Sequence, residues 1–128
     1  REPIDWLGSW YRYRSRPQLS GKANSTEGIS FDDFVAAWLN PARPDFADVG
    51  SQAKFLTDAD GTRAVDHLFR YDRMGELVAF LEGRLEASFD IPRANVSPGG
   101  AVDLSADMRA RLEVEAAAEF TLWQSLGG

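Results

Sequence analysis

Two apolar stripes run along one short helix near the start of the chain. Ile4, Leu7 and Tyr11 recur at helical spacing, and Trp6, Trp10 and Tyr13 form a second stripe beside them. A helix over residues 3 to about 16 that carries both stripes has to be covered on two sides, so other elements must pack around it. Pro3 suits its first turn, where the missing N–H would have had no partner within the helix.

The rest of the chain supplies those elements, and most read as helices. Pro17 through Gly28 is polar and turn-rich, a loop. Ser30 is then a helix N-cap, with Asp33 three residues on and Ile29 and Phe34 placed as a hydrophobic staple. That helix carries Phe34, Val35 and Trp38 and stops near Asn40, ahead of Pro41. Phe46 to Leu56 reads as a further short helix, and Asp60-Gly61 as a turn. Ala64 to Tyr71 reads as a strand, with Val65, His67 and Phe69 alternating against Asp66, Leu68 and Arg70. Asp72 is placed to cap a helix whose face is Met74, Leu77, Val78, Leu81 and Leu85. Residues 86–103, with Pro92, Pro98, Gly99 and Gly100, read as an extended loop. A packing helix starts near Ser105 and carries Met108, Leu112, Ala116, Phe120 and Trp123.

Composition narrows the chemistry. A chain of 128 residues with 44% hydrophobic residues is a single domain, residues 1–128, with enough apolar side chains for a core. No cysteine is present, which excludes disulfides, thiolate metal sites and cysteine nucleophiles. The lone histidine, His67, rules out a histidine-rich metal site. A net charge of −6 argues against nucleic acid or an anionic membrane as partner. No apolar run approaches a membrane span and no signal peptide is visible, which leads to the expectation of a cytoplasmic protein. Against that acidic whole, Arg1, Arg12, Arg14, Arg16 and Lys22 face only Glu2 and Asp5 in the first segment. Such a locally positive region suits a small anionic ligand. The plainer account of Arg12, Arg14 and Arg16 is a solvated helix end, where cations complement the dipole.

The arginine that stands just ahead of the first helix is the residue with most chemical meaning. A planar guanidinium donates two parallel hydrogen bonds to a phosphate and stays charged at any relevant pH. The helix N-terminus that follows brings N–H groups and a positive dipole end, and Ser9 adds a compact donor. The alternative is an ordinary proline-started helix with a surface arginine.

Arg1, Pro3, Ser9 and Tyr11, in Arg1-Glu-Pro-Ile-Asp-Trp-Leu-Gly-Ser9-Trp-Tyr11, together resemble the 3′-phosphate-binding segment of bacterial sulfotransferases. Those enzymes move a sulfuryl group from 3′-phosphoadenosine 5′-phosphosulfate (PAPS) to a hydroxyl or amine. Two later stretches are similar to the distal half of that family. One is Val65–Asp72 leading into Met74–Leu85; the other is Ile91-Pro-Arg93-Ala-Asn95-Val-Ser97-Pro98 ahead of the terminal helix. The resemblance implies an α/β, P-loop-like domain of which this chain is the C-terminal part, mostly helical with one or two strands. It implies PAPS as donor, no metal, Arg1 and Ser9 on the 3′-phosphate, and a small-molecule or carbohydrate acceptor. It also leaves Asn95 and Ser97 near the nucleotide or acceptor.

Two departures from the family pattern matter. Trp6 stands where many members carry a second arginine, and no glycine-rich, lysine-bearing loop for the 5′-phosphosulfate is present. The catalytic base usually comes from that same part of the domain. Without those groups the chain would hold one end of the donor and not catalyse transfer. The competing expectation is a non-catalytic helical module that docks a protein partner, with association favoured by exposed apolar surface.

Smaller patterns have plainer accounts. Ser51-Gln-Ala-Lys54 matches the serine-x-x-lysine of penicillin-recognising enzymes, but its partner motifs are absent. Asp58-Ala-Asp60-Gly61 has its glycine misplaced for a calcium loop and reads as a turn. His67, amid apolar neighbours in a strand, reads as structural rather than as a general base. Trp10-Tyr-Arg-Tyr-Arg14 has the makings of a base-stacking run, against the charge of the whole. Asn24-Ser-Thr26 and Asn95-Val-Ser97 match glycosylation acceptors.

Overall fold

The computed structural model describes residues 1–88, 90 and 102–127. Its helices are α1 (Pro3–Tyr13), α2 (Phe31–Leu39), α3 (Gln52–Leu56), α4 (Met74–Leu85), α5 (Ala106–Glu115) and α6 (Ala117–Gln124). Short 3₁₀ turns lie at Pro17–Leu19, Asp45–Ala47 and Tyr71–Arg73. The mostly helical character expected from the periodicity is present. Asn95 and Ser97 fall outside the described residues, as does most of the loop expected over 86–103.

The core forms around α2. Phe34 and Val35 are fully buried, Trp38 and Phe31 nearly so, and Leu7 of α1 and Leu112 of α5 close on them. Apolar burial of this kind stabilises by roughly 1.5–3 kcal/mol per large side chain. α2 packs against α1, α5 and the 45–47 turn, while α6 packs against α1, α3 and α5. The first stripe of α1 faces this core through Leu7. The second lies half-buried, with Trp6 edge-on to Trp38 at 6.2 Å between ring centres and Trp10 edge-on to Tyr13 at 5.9 Å. The two-sided covering of α1 is therefore met, unequally.

The helix starts follow the serines. Ser30 accepts from the Asp33 N–H at 3.1 Å and Ser105 from the Met108 N–H at 3.2 Å. The single terminal helix expected from Ser105 onward is two. Ala116, at φ −118° and ψ 37°, leaves the helical region and separates α5 from α6. Likewise the helix expected over Phe46–Leu56 divides into the 45–47 turn and α3, with Ser51 capping Lys54 N–H at 3.1 Å.

The expected strand is the main correction. No strand forms over Ala64 to Tyr71 among the described residues, and Tyr71 belongs to the 71–73 turn; the one pairing nearby is an isolated antiparallel bridge between Thr57 and Arg63. Alternation makes a strand only where a neighbour completes the ladder, and here no second strand lies alongside. The alternation survives in another form. His67 and Phe69, two residues apart on one side, both pack on Phe80 of α4, with ring centres at 4.5 and 5.3 Å. Asp72 does not cap α4 either. It lies in the 71–73 turn, where Arg70 grips its carboxylate at 2.9 and 2.7 Å, and α4 begins without a side-chain cap.

Candidate functional site

Arg1 stands immediately ahead of α1, and its backbone is fixed by α3. Gln52 accepts from the Arg1 nitrogen at 2.9 Å and returns a hydrogen bond from Nε2 to the Arg1 carbonyl at 3.0 Å. The side chain, 23% exposed, is held on two sides. Its guanidinium lies over the Tyr71 ring, 3.9 Å from the centroid, and Nε approaches Asp5 at 3.7 Å. Neither terminal nitrogen of that guanidinium has a hydrogen-bond acceptor among the described residues. Those two nitrogens are the fork with which an arginine grips a phosphate.

Ser9, half-buried, lies on the second turn of α1, roughly 9 Å along the axis from Pro3 at 1.5 Å per residue. One feature differs from the expectation of a helix end open to anions. Glu2 is the N-cap, and its carboxylate already takes the Asp5 N–H at 2.8 Å. With Asp5 in the first turn as well, the end of α1 is answered by its own acids. The group at this end of α1 whose chemistry suits an anion is therefore the Arg1 guanidinium and not the helix dipole.

The residue before Tyr71 ties this segment to α6. Beyond the paired contact to Asp72, Arg70 stacks on Trp123 of α6 with its guanidinium carbon 3.9 Å from the ring centre, and donates to the Gly127 carbonyl at 2.5 Å. Beside Arg1 lies a small cavity of about 150 Å³ walled by Gln52, Phe69, Trp123 and Glu119. Glu119 also borders a wider groove of about 680 Å³ that includes Arg43, Asp48, Ser51 and Lys54. The larger concavity thus lies beyond Glu119, away from the residues the sequence singles out.

Glu119 was not legible as a functional or structural centre from its sequence position. It is 6% exposed, accepts from the Ser51 hydroxyl and takes the Ala53 N–H at 3.1 Å. With one oxygen on each, the carboxylate completes the N-terminus of α3 and needs no further partner. Ser51 is accordingly a cap shared with Glu119, and the serine-x-x-lysine spacing describes a helix start. Arg43 spans the neighbouring turn, donating to Trp38 O at 2.6 Å and to Gly50 O at 3.1 Å; partial burial draws its pKa down against the opposing pull of Asp48 and Glu119.

The remaining patterns resolve structurally. Arg14 donates to the Asp45 carbonyl at 2.6 Å and the Asp48 carbonyl at 3.3 Å, and Arg16 to Tyr13 O at 2.7 Å. These two arginines tie loops to α1 instead of decorating a solvated end. Thr26, 1% exposed, donates to Tyr11 O at 2.7 Å, so the Asn24-Ser-Thr26 threonine is a packing residue. Asp60 accepts the Thr62 N–H at 3.0 Å in the expected turn. His67 is exposed against Phe80. Among the described residues no cluster of three acidic or histidine side chains could hold a metal, and no helix is long and apolar enough to cross a membrane. No family model matches this chain, and neither do any curated protein or solved structure.

Proposed function

We propose that this chain recognises the 3′-phosphate of PAPS through Arg1 and Ser9, as the donor-binding portion of a sulfotransferase acting on a hydroxyl or amine. The observation that carries this reading is the state of Arg1: its side chain is 23% exposed, its guanidinium lies over the Tyr71 ring, and neither terminal nitrogen has an acceptor among the described residues. A guanidinium held by its face and its Nε corner keeps two parallel donors for a phosphate, the geometry in which arginine exceeds lysine. The half-buried Ser9, two turns into α1, supplies the second donor type that the resemblance assigns. On this reading this chain contributes recognition rather than chemistry, since its sequence carries no glycine-rich, lysine-bearing loop for the phosphosulfate.

The test is calorimetric titration with adenosine 3′,5′-bisphosphate and with adenosine 5′-monophosphate, which lacks the 3′-phosphate. The bisphosphate is expected to bind more tightly, and Arg1→Ala to abolish the difference. Equal binding of the two nucleotides, or a difference that survives Arg1→Ala, refutes the proposal.

One observation favours a second reading, a helical module that docks a protein partner. Among the described residues α4 has no buried residue and packs only on the 71–73 turn and on His67 and Phe69, while Phe55 and Val114 are 87% and 78% exposed. Absence of any nucleotide binding in the same titrations would leave this reading in place.

A further inference from the structure

We infer that Tyr71 is a positioning residue for Arg1, and that its ring, set by the Arg70 clamp, gives the site its selectivity for a 3′-phosphate. This rests on the donor reading above. An unsupported arginine would be free to rotate. Its long side chain has several rotatable bonds, so ordering it for a ligand costs about 1.5–2 kcal/mol in conformational entropy. Its nearest charged neighbour is Asp5, one helical turn on, at 3.7 Å and 56% exposed. Such exposed pairs are weak and salt-screened, and this one would turn the guanidinium toward the carboxylate.

Tyr71 opposes that. The guanidinium carbon lies 3.9 Å from its ring centre, close enough for a face-on cation–π contact. A face-on contact uses the π surface of the guanidinium and none of its N–H donors. The contact therefore restrains the guanidinium over the ring without taking up a hydrogen bond, and among the described residues neither terminal nitrogen has an acceptor. Gln52 fixes the backbone on the other side, so Arg1 is held at both ends without its donors being consumed.

The ring needs a support of its own, because Tyr71 is 49% exposed and sits in a single 3₁₀ turn. Arg70 provides it. Its side chain grips Asp72 within the same turn by two hydrogen bonds and ties the segment to α6 by stacking on Trp123. Two arginine–aromatic contacts in adjacent positions thus run from α6 through the 71–73 turn to Arg1. The end of α6, far from Arg1 in sequence, bears on the phosphate site through this contact series.

The experiment compares wild type with Tyr71→Phe, Tyr71→Leu and Tyr71→Gln. For each, the affinity ratio between adenosine 3′,5′-bisphosphate and adenosine 5′-monophosphate is measured, and the Arg1 Nε–H resonance is followed by NMR. Tyr71→Phe should keep the ratio. Tyr71→Leu and Tyr71→Gln should reduce it roughly threefold to thirtyfold, the span of a partly desolvated cation–π contact, with monophosphate affinity and melting temperature unchanged. The Arg1 Nε–H should be ring-current shifted in wild type and Tyr71→Phe, and return to the free-arginine position in the other two. A ratio unaffected by Tyr71→Leu and Tyr71→Gln overturns the inference. So does an unshifted Arg1 resonance in wild type, even if the bisphosphate is preferred. Equal nucleotide affinities in wild type with a shifted resonance would instead defeat the donor reading, and the selectivity role with it.

Discussion

Gly8 shows how a single residue can carry a packing constraint that no motif announces. A methyl group added there would lie 2.8 Å from Val102 Cγ2 and 3.3 Å from an Arg12 guanidinium nitrogen. Glycine normally weakens a helix interior, so its presence in the middle of α1 has a reason in the close approach of Val102. Gly8→Val should destabilise the protein by about 1–3 kcal/mol through overpacking, read as a lower urea midpoint with unchanged slope. Glu86 is the reverse case. It ends α4 with φ 50°, the left-handed region where a Cβ is unfavourable. Glu86→Gly should strengthen the last turn of α4 by about 0.5–1 kcal/mol, seen as slower amide exchange there. Neither residue drew notice in the sequence, because what each one meets is set by the fold. Arg1 was legible, since its spacing to Ser9 is written in the chain, whereas its stacking on Tyr71 joins residues 70 positions apart.

Among the elements, caps and periodicity were the readable signals. Ser30 and Ser105 start helices for local reasons: a hydroxyl reaches an N–H three residues on whatever the rest of the chain does. Asp72 had the same local option, yet Arg70 holds its carboxylate, and a charged partner outcompetes a cap. The strand over Ala64–Tyr71 failed for the opposite reason, since pairing is non-local and alternation alone supplies no partner. One element-to-element contact leads to a pH prediction. The Asp32 carboxylate, on the first turn of α2, is stabilised by the Ser105 hydroxyl and accepts its N–H at 3.0 Å, which holds its pKa below the ordinary aspartate value. A carboxyl with a depressed folded pKa contributes stability above its unfolded value, about 3.9, and loses it as pH falls through the lower folded value. Melting temperature should therefore decline below about pH 4. Asp32→Asn should flatten part of that decline, with Asp60 and Asp72, both also depressed, accounting for more of it.

On the scale of the molecule, stability is concentrated around α2. Leu112 of α5 is fully buried in that core, whereas Leu85, in an equally regular stripe of α4, is 64% exposed. Leu112→Ala should cost about 2–5 kcal/mol in chemical denaturation. Leu85→Ala should stay within about 0.5 kcal/mol, as for a surface site. Comparable costs for the two would mean that α4 is covered in solution by something that buries its stripe. The contrast also bears on the site: α3, α6 and the start of α1 meet at Arg1, Gln52 and Glu119, so the candidate anion site is attached to the ordered core through two helices.

By itself, the sequence determined what neighbouring residues decide together: the helical periods, the serine caps, the turns at glycine and proline, and the arginine–serine spacing that suggests a phosphate. Tertiary structure alone decided which stripe is buried, that Ala64–Tyr71 finds no strand to pair with among the described residues, and that Glu119 closes the start of α3. It also decided that the Arg1 guanidinium lies over the Tyr71 ring. The division has a physical cause. Helices and caps close hydrogen bonds within a few residues, so their information is local. Burial, strand pairing and the stacking of one side chain on another depend on residues brought together only by folding, and their energies appear only there.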